Sequence, residues 1–209
     1  MPQITNIKYA DAFIKVDLDT GESLKLAPEI FSMYSISGGK ILDSALYQQL
    51  KEESVRFLCK EKALNYLAIR SRSYLEMQTY LRKKDFPKNI IQEILNGLRD
   101  RGYINDYEYA LRFINFKKKA KAVGINSLKR DLSIKGVSRD LINKAIKETG
   151  SDSVDPDEIY ELALKKFKKL ENKKNKIAKL IYFLKQRGFE DNSIRSVLNR
   201  LKIEENQLP

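Results

Sequence analysis

Few residues in this sequence could do covalent or metal chemistry. Histidine is absent, which removes the commonest general base and the commonest metal ligand. Cys59 is the single cysteine, so no intrachain disulfide can form. Without a histidine to pair with, it reads as a small buried hydrophobe. A zinc site would need carboxylates around one thiolate, contrary to the usual donor set. Gly38-Gly39-Lys40 falls short of a phosphate loop. Tyr34 stands where the first glycine is required, and Ile41 where Ser or Thr is required. Asp17 and Asp19 could pair on a metal, but next to Thr20-Gly21 they read as a solvated strand end. No Gly-x-Gly-x-x-Gly and no Gly-x-Ser-x-Gly occurs. These absences predict a protein that binds, with neither catalysis nor a cofactor nor a metal.

The chemistry that remains is positive charge. The net charge is +12, and residues 1–58 hold 6 Lys/Arg against 8 Asp/Glu, so the rest of the chain carries all of the excess. Such a surface attracts phosphate backbones or an acidic protein face. Three stretches are dense in cations: Arg70 and Arg72; Lys117, Lys118, Lys119 and Lys121; and Lys165, Lys166, Lys168 and Lys169, continued by Lys173 and Lys174. With Lys129 and Arg130 they are the candidate binding residues. The plainer reading of each run is a solvated helix face. Of the 11 tyrosines, Tyr66, Tyr74 and Tyr80 fall at helical spacing and suit a core or its edge. Tyr103, Tyr107 and Tyr109 suit a helix junction better than base stacking.

An internal repeat must position these cations. With Leu81, Leu132 and Leu184 as anchors, Tyr74, Ile125 and Ile177 stand seven residues earlier, and Met77, Leu128 and Leu180 four earlier. Phe86, Val137 and Phe189 stand five residues later. Beyond that set, at five, eight and nine residues, come Ile91, Ile142 and Ile194; Ile94, Ala145 and Val197; and Leu95, Ile146 and Leu198. The first offsets make one helical stripe, and the later ones a second. Gly136 and Gly188 precede the aromatic or valine anchor, where a left-handed cap is expected, and Asp85 takes that place in the first copy. Ser138 suits an N-cap and Pro87 a helix start. A further helix precedes each pair, marked by Ala63-Leu64, Ala110-Leu111 and Ala163-Leu164, with Asn105-Asp106 and Asp155-Pro156 as starts. The basic runs sit where that helix meets the next.

The expected fold is therefore mainly α: three tandem three-helix repeats in an elongated, curved array. Residues 43–102, 103–149 and 150–209 are the repeats. Gly102 and Thr149-Gly150-Ser151-Asp152-Ser153 divide them. Residues 1–42 form an extension with a β-hairpin, in which Ala12 to Leu18 and Ser23 to Leu26 flank a turn at Gly21. Pro28 opens a short helix through Tyr34. No basic and apolar leader opens the chain, and no apolar run approaches a membrane span. With the lone cysteine, this predicts a cytoplasmic protein without a membrane partner; a monomer is expected.

The sequence resembles the RecX family, regulators of the RecA recombinase. The likeness rests on Ala63-Leu64 through Arg70-Ser71-Arg72-Ser73 to Leu81 and Ile94. It continues with Gly102-Tyr103-Ile104-Asn105-Asp106 and Ala110, the basic Lys117–Lys121 segment, Gly124, and Lys135-Gly136-Val137. The N-terminal hairpin resembles the extension of Gram-positive members. Lys84-Asp85-Phe86 departs from the usual Lys-Gly. The resemblance implies a regulator that lies along the groove of the RecA–DNA filament, inhibits or disassembles it, and so modulates recombination, DNA repair and the SOS response. Direct contact with single- or double-stranded DNA is left open. Two rivals remain: a general DNA-binding helical module without RecA specificity, and a scaffold for acidic proteins. Asn89/Gln92, Arg139/Asn143 and Asn192/Arg195 share no pattern that would read bases.

Overall fold

A computed structural model describes residues 1–120, 122–151, 154–170 and 174–205. The N-terminal extension is a three-stranded antiparallel sheet of order β1-β2-β3: β1 (Ile4–Tyr9), β2 (Ile14–Leu18) and β3 (Ser23–Leu26). The hairpin expected from the sequence is β2-β3, with Gly21 at φ +82°. Alternation buries Ile14, Val16 and Leu18 on one strand and Leu24 and Leu26 on the next. The pattern gave no sign of β1. Its register shifts between Ile4 and Asn6, and only Ile4 is buried, so no period of two is left to read.

The carboxylates and the lysine that invited chemical readings do local work here. Asp17 accepts hydrogen bonds from Ser23 Oγ at 2.6 Å and Asn6 Nδ2 at 3.0 Å, and pairs with Lys15 at 2.9 Å. The Ser23 hydroxyl first, then Lys15 and Asn6, hold its carboxyl well below the usual carboxylate range. Asp19 accepts from the Gln3 amide at 2.9 Å. These carboxylates tie β1 to the hairpin and are more than a solvated strand end. Lys40 Nζ donates to the carbonyls of Tyr34 and Ser35 at 2.9 and 3.1 Å, which end the short helix α1 (Pro28–Met33).

Helix α2 (Ser44–Ile69) starts at Asp43, whose Oδ1 accepts from the Leu46 amide at 2.8 Å. It buries Leu50, Ser54, Cys59 and Ala63. Its first half carries the sheet: β3 lies on it, and the Lys25 amide donates to Ser54 Oγ at 2.9 Å. Its second half is the first helix of repeat one, followed by α3 (Tyr74–Arg82) and α4 (Lys88–Asp100). One compact unit comprises Met1–Arg72 and Glu76–Ile104. Cys59 is fully buried, and burial pushes its thiol up to about 11.

A second compact unit comprises Ser73–Leu75 and the chain from Asn105 on. It holds α5 (Asp106–Ala120), α6 (Ile125–Ile134) and α7 (Arg139–Glu148), then α8 (Pro156–Lys168), α9 (Lys176–Gln186) and α10 (Asp191–Glu205). Of the divider before α8, Asp152 and Ser153 lie outside the described residues. The repeat columns are core columns. Leu81, Leu132 and Leu184 are fully buried, as are Met77 and Leu180. The anchor and the residue five later are joined by one motif. The amides of Phe86, Val137 and Phe189 donate to the carbonyls of Leu81, Leu132 and Leu184 at 3.4, 3.1 and 3.2 Å. Between them Asp85, Gly136 and Gly188 adopt φ +60°, +80° and +81°. This is the Schellman end expected from the spacing.

The two glycines do more than cap. Ser73 Oγ donates to the Lys135 carbonyl at 2.6 Å, and the Gly124 amide donates to the Arg187 carbonyl at 2.9 Å. Ser73 and Gly124 occupy one repeat position, eight before the anchor, and Lys135 and Arg187 occupy another, just before the glycine. A Cβ on Gly136 would stand 2.5 Å from Leu75 Cβ, and one on Gly188 2.1 Å from the Ser127 amide nitrogen. Asp85, at the equivalent turn of repeat one, is exposed. The linkers carrying Ser73 and Gly124 thus clasp the caps at Gly136 and Gly188, whereas the exposed cap at Asp85, with no such hydrogen bond among the described residues, carries a side chain.

Gly136→Ala and Gly188→Ala should each lower stability by about 2–5 kcal/mol, the sum of a left-handed backbone penalty and overpacking. Asp85→Gly should change it by less than about 1 kcal/mol. Urea unfolding of the three variants checks this contrast, and equal losses at all three positions would contradict the clasp. For Cys59, the raised folded-state value means that its stabilisation is complete below pH 9.0 and fades as the pH rises towards about 11. A thiol reagent at pH 8 should leave the folded protein unmodified and label it once urea unfolds it.

Candidate functional site

All three basic runs fall at the end of a repeat's first helix, but their side chains do different things. In repeat one, Arg70 caps α2 and is drawn inward: its Nη2 and Nη1 donate to Glu76 at 3.2 and 3.4 Å, and Nη1 also donates to the Ser71 carbonyl at 3.0 Å. Arg72 lies flat on Tyr66, its Cζ 3.9 Å from the ring centroid, and Tyr66 stacks on Tyr80 at 3.8 Å. The Arg72 Nε is buried without a hydrogen-bond partner. Tyr66 and Tyr80 are therefore a platform for a cation.

In repeat two, Lys117 pairs with Asp131 at 3.2 Å, and Lys118 Nζ donates to the Thr149 carbonyl at 3.0 Å, where α7 ends. A cation there also meets the negative end of the helix dipole. Lys119 is exposed and makes no ion pair or hydrogen bond among the described residues; Lys121 lies outside them. On α6, Arg130 reaches the Gln186 carbonyl at 3.4 Å and Ser127 Oγ at 3.3 Å, whereas Lys129 has no partner among the described residues. Tyr107 and Tyr109 serve the junction of helices. Tyr109 is buried, and the Tyr107 hydroxyl donates to the Glu148 carboxylate, which pushes its ionisation up to about 12. Tyr103 is largely exposed.

In repeat three, Lys165, Lys168, Lys169 and Lys174 are exposed and unpaired among the described residues. Lys166 lies over Phe183 at 5.1 Å, and Lys173 is outside the described residues. Cations at one repeat position in the sequence are thus unequal on the surface. A cation beside its own carboxylate adds little to the field a partner feels, while an unpaired one adds its whole charge within a Debye length. One cluster escaped the sequence reading. Arg82, Lys83, Lys84 and Lys88 surround the turn between α3 and α4, all exposed and unpaired among the described residues. The run Arg82-Lys83-Lys84 is its signal, and it lies at the end of a repeat's second helix, away from the first-helix ends where the other runs recur. No helix among the described residues is long and apolar enough to cross a membrane.

Comparison with known proteins now bears on this surface. Residues 59–103, from the second half of α2 through α4, match the family model described as RecX, first three-helix domain. The regulatory protein RecX of Bacillus licheniformis is 30% identical over 209 residues, covering 98% of this chain and 79% of its own length. The chain belongs to the RecX family. RecX of Listeria monocytogenes serovar 1/2a is also 30% identical, over 178 residues and 82% of the chain; the chain spans 64% of that relative's length. A crystal structure of a regulatory protein RecX superposes with a TM-score of 0.74 over 95% of this chain and all of its own, at 19% identity. A second, RecX from Lactobacillus salivarius, gives 0.60 over 71% of this chain and 97% of its own at 25% identity. The mainly helical fold with a small N-terminal sheet is thus a RecX fold.

Neutralising unpaired cations should matter more than neutralising tied ones. Lys165/Lys168/Lys169→Gln should lower the log–log salt slope of binding to a single-stranded oligonucleotide by about 2, near 0.7 per contact. Arg70/Lys117/Lys118→Gln should lower it by less than about 1. Fluorescence anisotropy across a salt series makes the comparison, and equal slopes would contradict it.

Proposed function

We propose that this protein binds the RecA–DNA filament and inhibits or disassembles it, so tuning recombination and repair in the cytoplasm. The observation that carries the reading is the recurrence of cations at the end of each repeat's first helix in a chain of the RecX family. A filament presents the same surface at every subunit, and a tandem repeat presents similar elements at intervals of about 50 residues. Several weak contacts on one scaffold add through effective concentration, so binding is firm although each ion pair is worth little. A ligand that bridges neighbouring subunits and occupies the groove blocks growth of the polymer. This role is non-enzymatic and needs only a bound surface.

A general DNA-binding module is the second reading, and the unpaired lysines of repeat three favour it. The two differ in stoichiometry. A filament regulator acts below one copy per RecA, whereas a DNA competitor must coat the strand. Titration into RecA hydrolysing ATP on single-stranded DNA separates them. Half-inhibition at well under one copy per RecA is expected. Inhibition only when the protein saturates the DNA would support the second reading, and no inhibition would refute the first.

A further inference from the structure

Ile69 and Phe116 stand six residues after Ala63 and Ala110, the same place in repeats one and two. Each ends or nearly ends its repeat's first helix. Both are turned to solvent, Ile69 being 75% and Phe116 71% exposed. Scattered exposed apolar residues need no explanation, but these two recur by register and share their surroundings. The next residue in each case is a cation tied to a carboxylate of the second helix, Arg70 to Glu76 and Lys117 to Asp131. Three residues after each stands a cation with no hydrogen bond or ion pair among the described residues, Arg72 and Lys119. Arg72 is held rigid on the Tyr66–Tyr80 stack, so little rotamer freedom is lost when its fork engages a carboxylate.

We infer that Ile69 with Arg72, and Phe116 with Lys119, form two copies of one docking element: an exposed apolar knob three residues before a cation that makes no ion pair or hydrogen bond among the described residues. The partner is a protein assembled from identical subunits, each offering an apolar socket next to an acidic side chain. Isoleucine cannot stack on a base as an aromatic ring can, so the chemistry common to both knobs is a socket in a protein. The flanking cations require that socket to be acidic at its rim. Repeat three has Lys169 and the buried Leu170 at the corresponding place, so it contributes charge alone. This rests on the filament reading and goes further, naming the residues that would separate recognition of protein from attraction to DNA.

The test uses the full-length chain and its Ile69→Ser/Phe116→Ser variant, with Ile134→Ser, an exposed apolar residue outside the element, as control. Binding is measured to RecA filaments preassembled on a fluorescent single-stranded oligonucleotide and, in parallel, to the bare oligonucleotide. The expected result is a loss of at least tenfold in filament affinity for the double variant, with bare-DNA affinity within twofold and the control unchanged. Filament affinity within twofold of wild type would overturn the docking element and leave the filament reading intact. Equal loss on filament and bare DNA would assign the knobs to DNA and also overturn it. Failure of the wild-type protein to bind filaments would overturn both.

Discussion

The carbonyls of Lys135 and Arg187, each one residue before a left-handed glycine, receive Ser73 and Gly124 from the linker ahead of them. That close approach depends on the missing side chains of Gly136 and Gly188. It joins three requirements of a repeat protein in a few atoms. The glycine ends one helix, its Schellman geometry seats the next apolar anchor, and its bare face accepts the neighbouring linker. A unit of about 50 residues buries little core alone, and within the second compact unit these hydrogen bonds add backbone ties to the apolar packing. The linkers that make these contacts are also the segments in or beside which the cations sit. Arg70 and Arg72 precede Ser73, and Lys119 precedes Gly124. The clasp therefore anchors the backbone that presents the candidate surface.

Electrostatics then distinguishes residues that the sequence makes look alike. Arg70, Lys117 and Lys118 serve the fold, pinning helix ends to a carboxylate or a carbonyl. Arg72 serves an aromatic platform, and Lys119, Lys165, Lys168 and Lys169 face solvent without partners among the described residues. Exposed ion pairs contribute little stability, yet each one cancels a charge that a partner would otherwise feel. At the end of the first helix, fewer of the cations of repeat three are answered by a carboxylate or carbonyl than those of repeats one and two.

Much of this was legible in the residues. The anchor columns, the left-handed caps, the Ser138 and Asp155 N-caps and the hairpin at Gly21 all follow from short-range rules that a single copy obeys and three copies reinforce. Asp85 read as a tolerated exception, and the structure supplies its reason: the turn is exposed, so its side chain meets solvent where a Cβ on Gly136 or Gly188 would meet a linker. What stayed hidden depends on distant partners. Strand β1 buries one residue beside a register shift and leaves no alternation to detect. Helix α2 runs for 26 residues because its first half belongs to the sheet and its second to repeat one, which blurs a single amphipathic stripe. The pairing of Arg70 with Glu76 and of Lys117 with Asp131 depends on how helices fold back, as does the stacking of Arg72, so no count of lysines and arginines could separate tied from free.

Hydrogen exchange of the full-length chain, alone and with RecA assembled on single-stranded DNA, tests most directly whether the ends of the first helices are the contact surface. Protection concentrated at residues 69–72, 116–119 and 165–169, with little change in β1–β3, is the predicted result. Protection confined to the N-terminal sheet, or no protection at saturating filament, would contradict it.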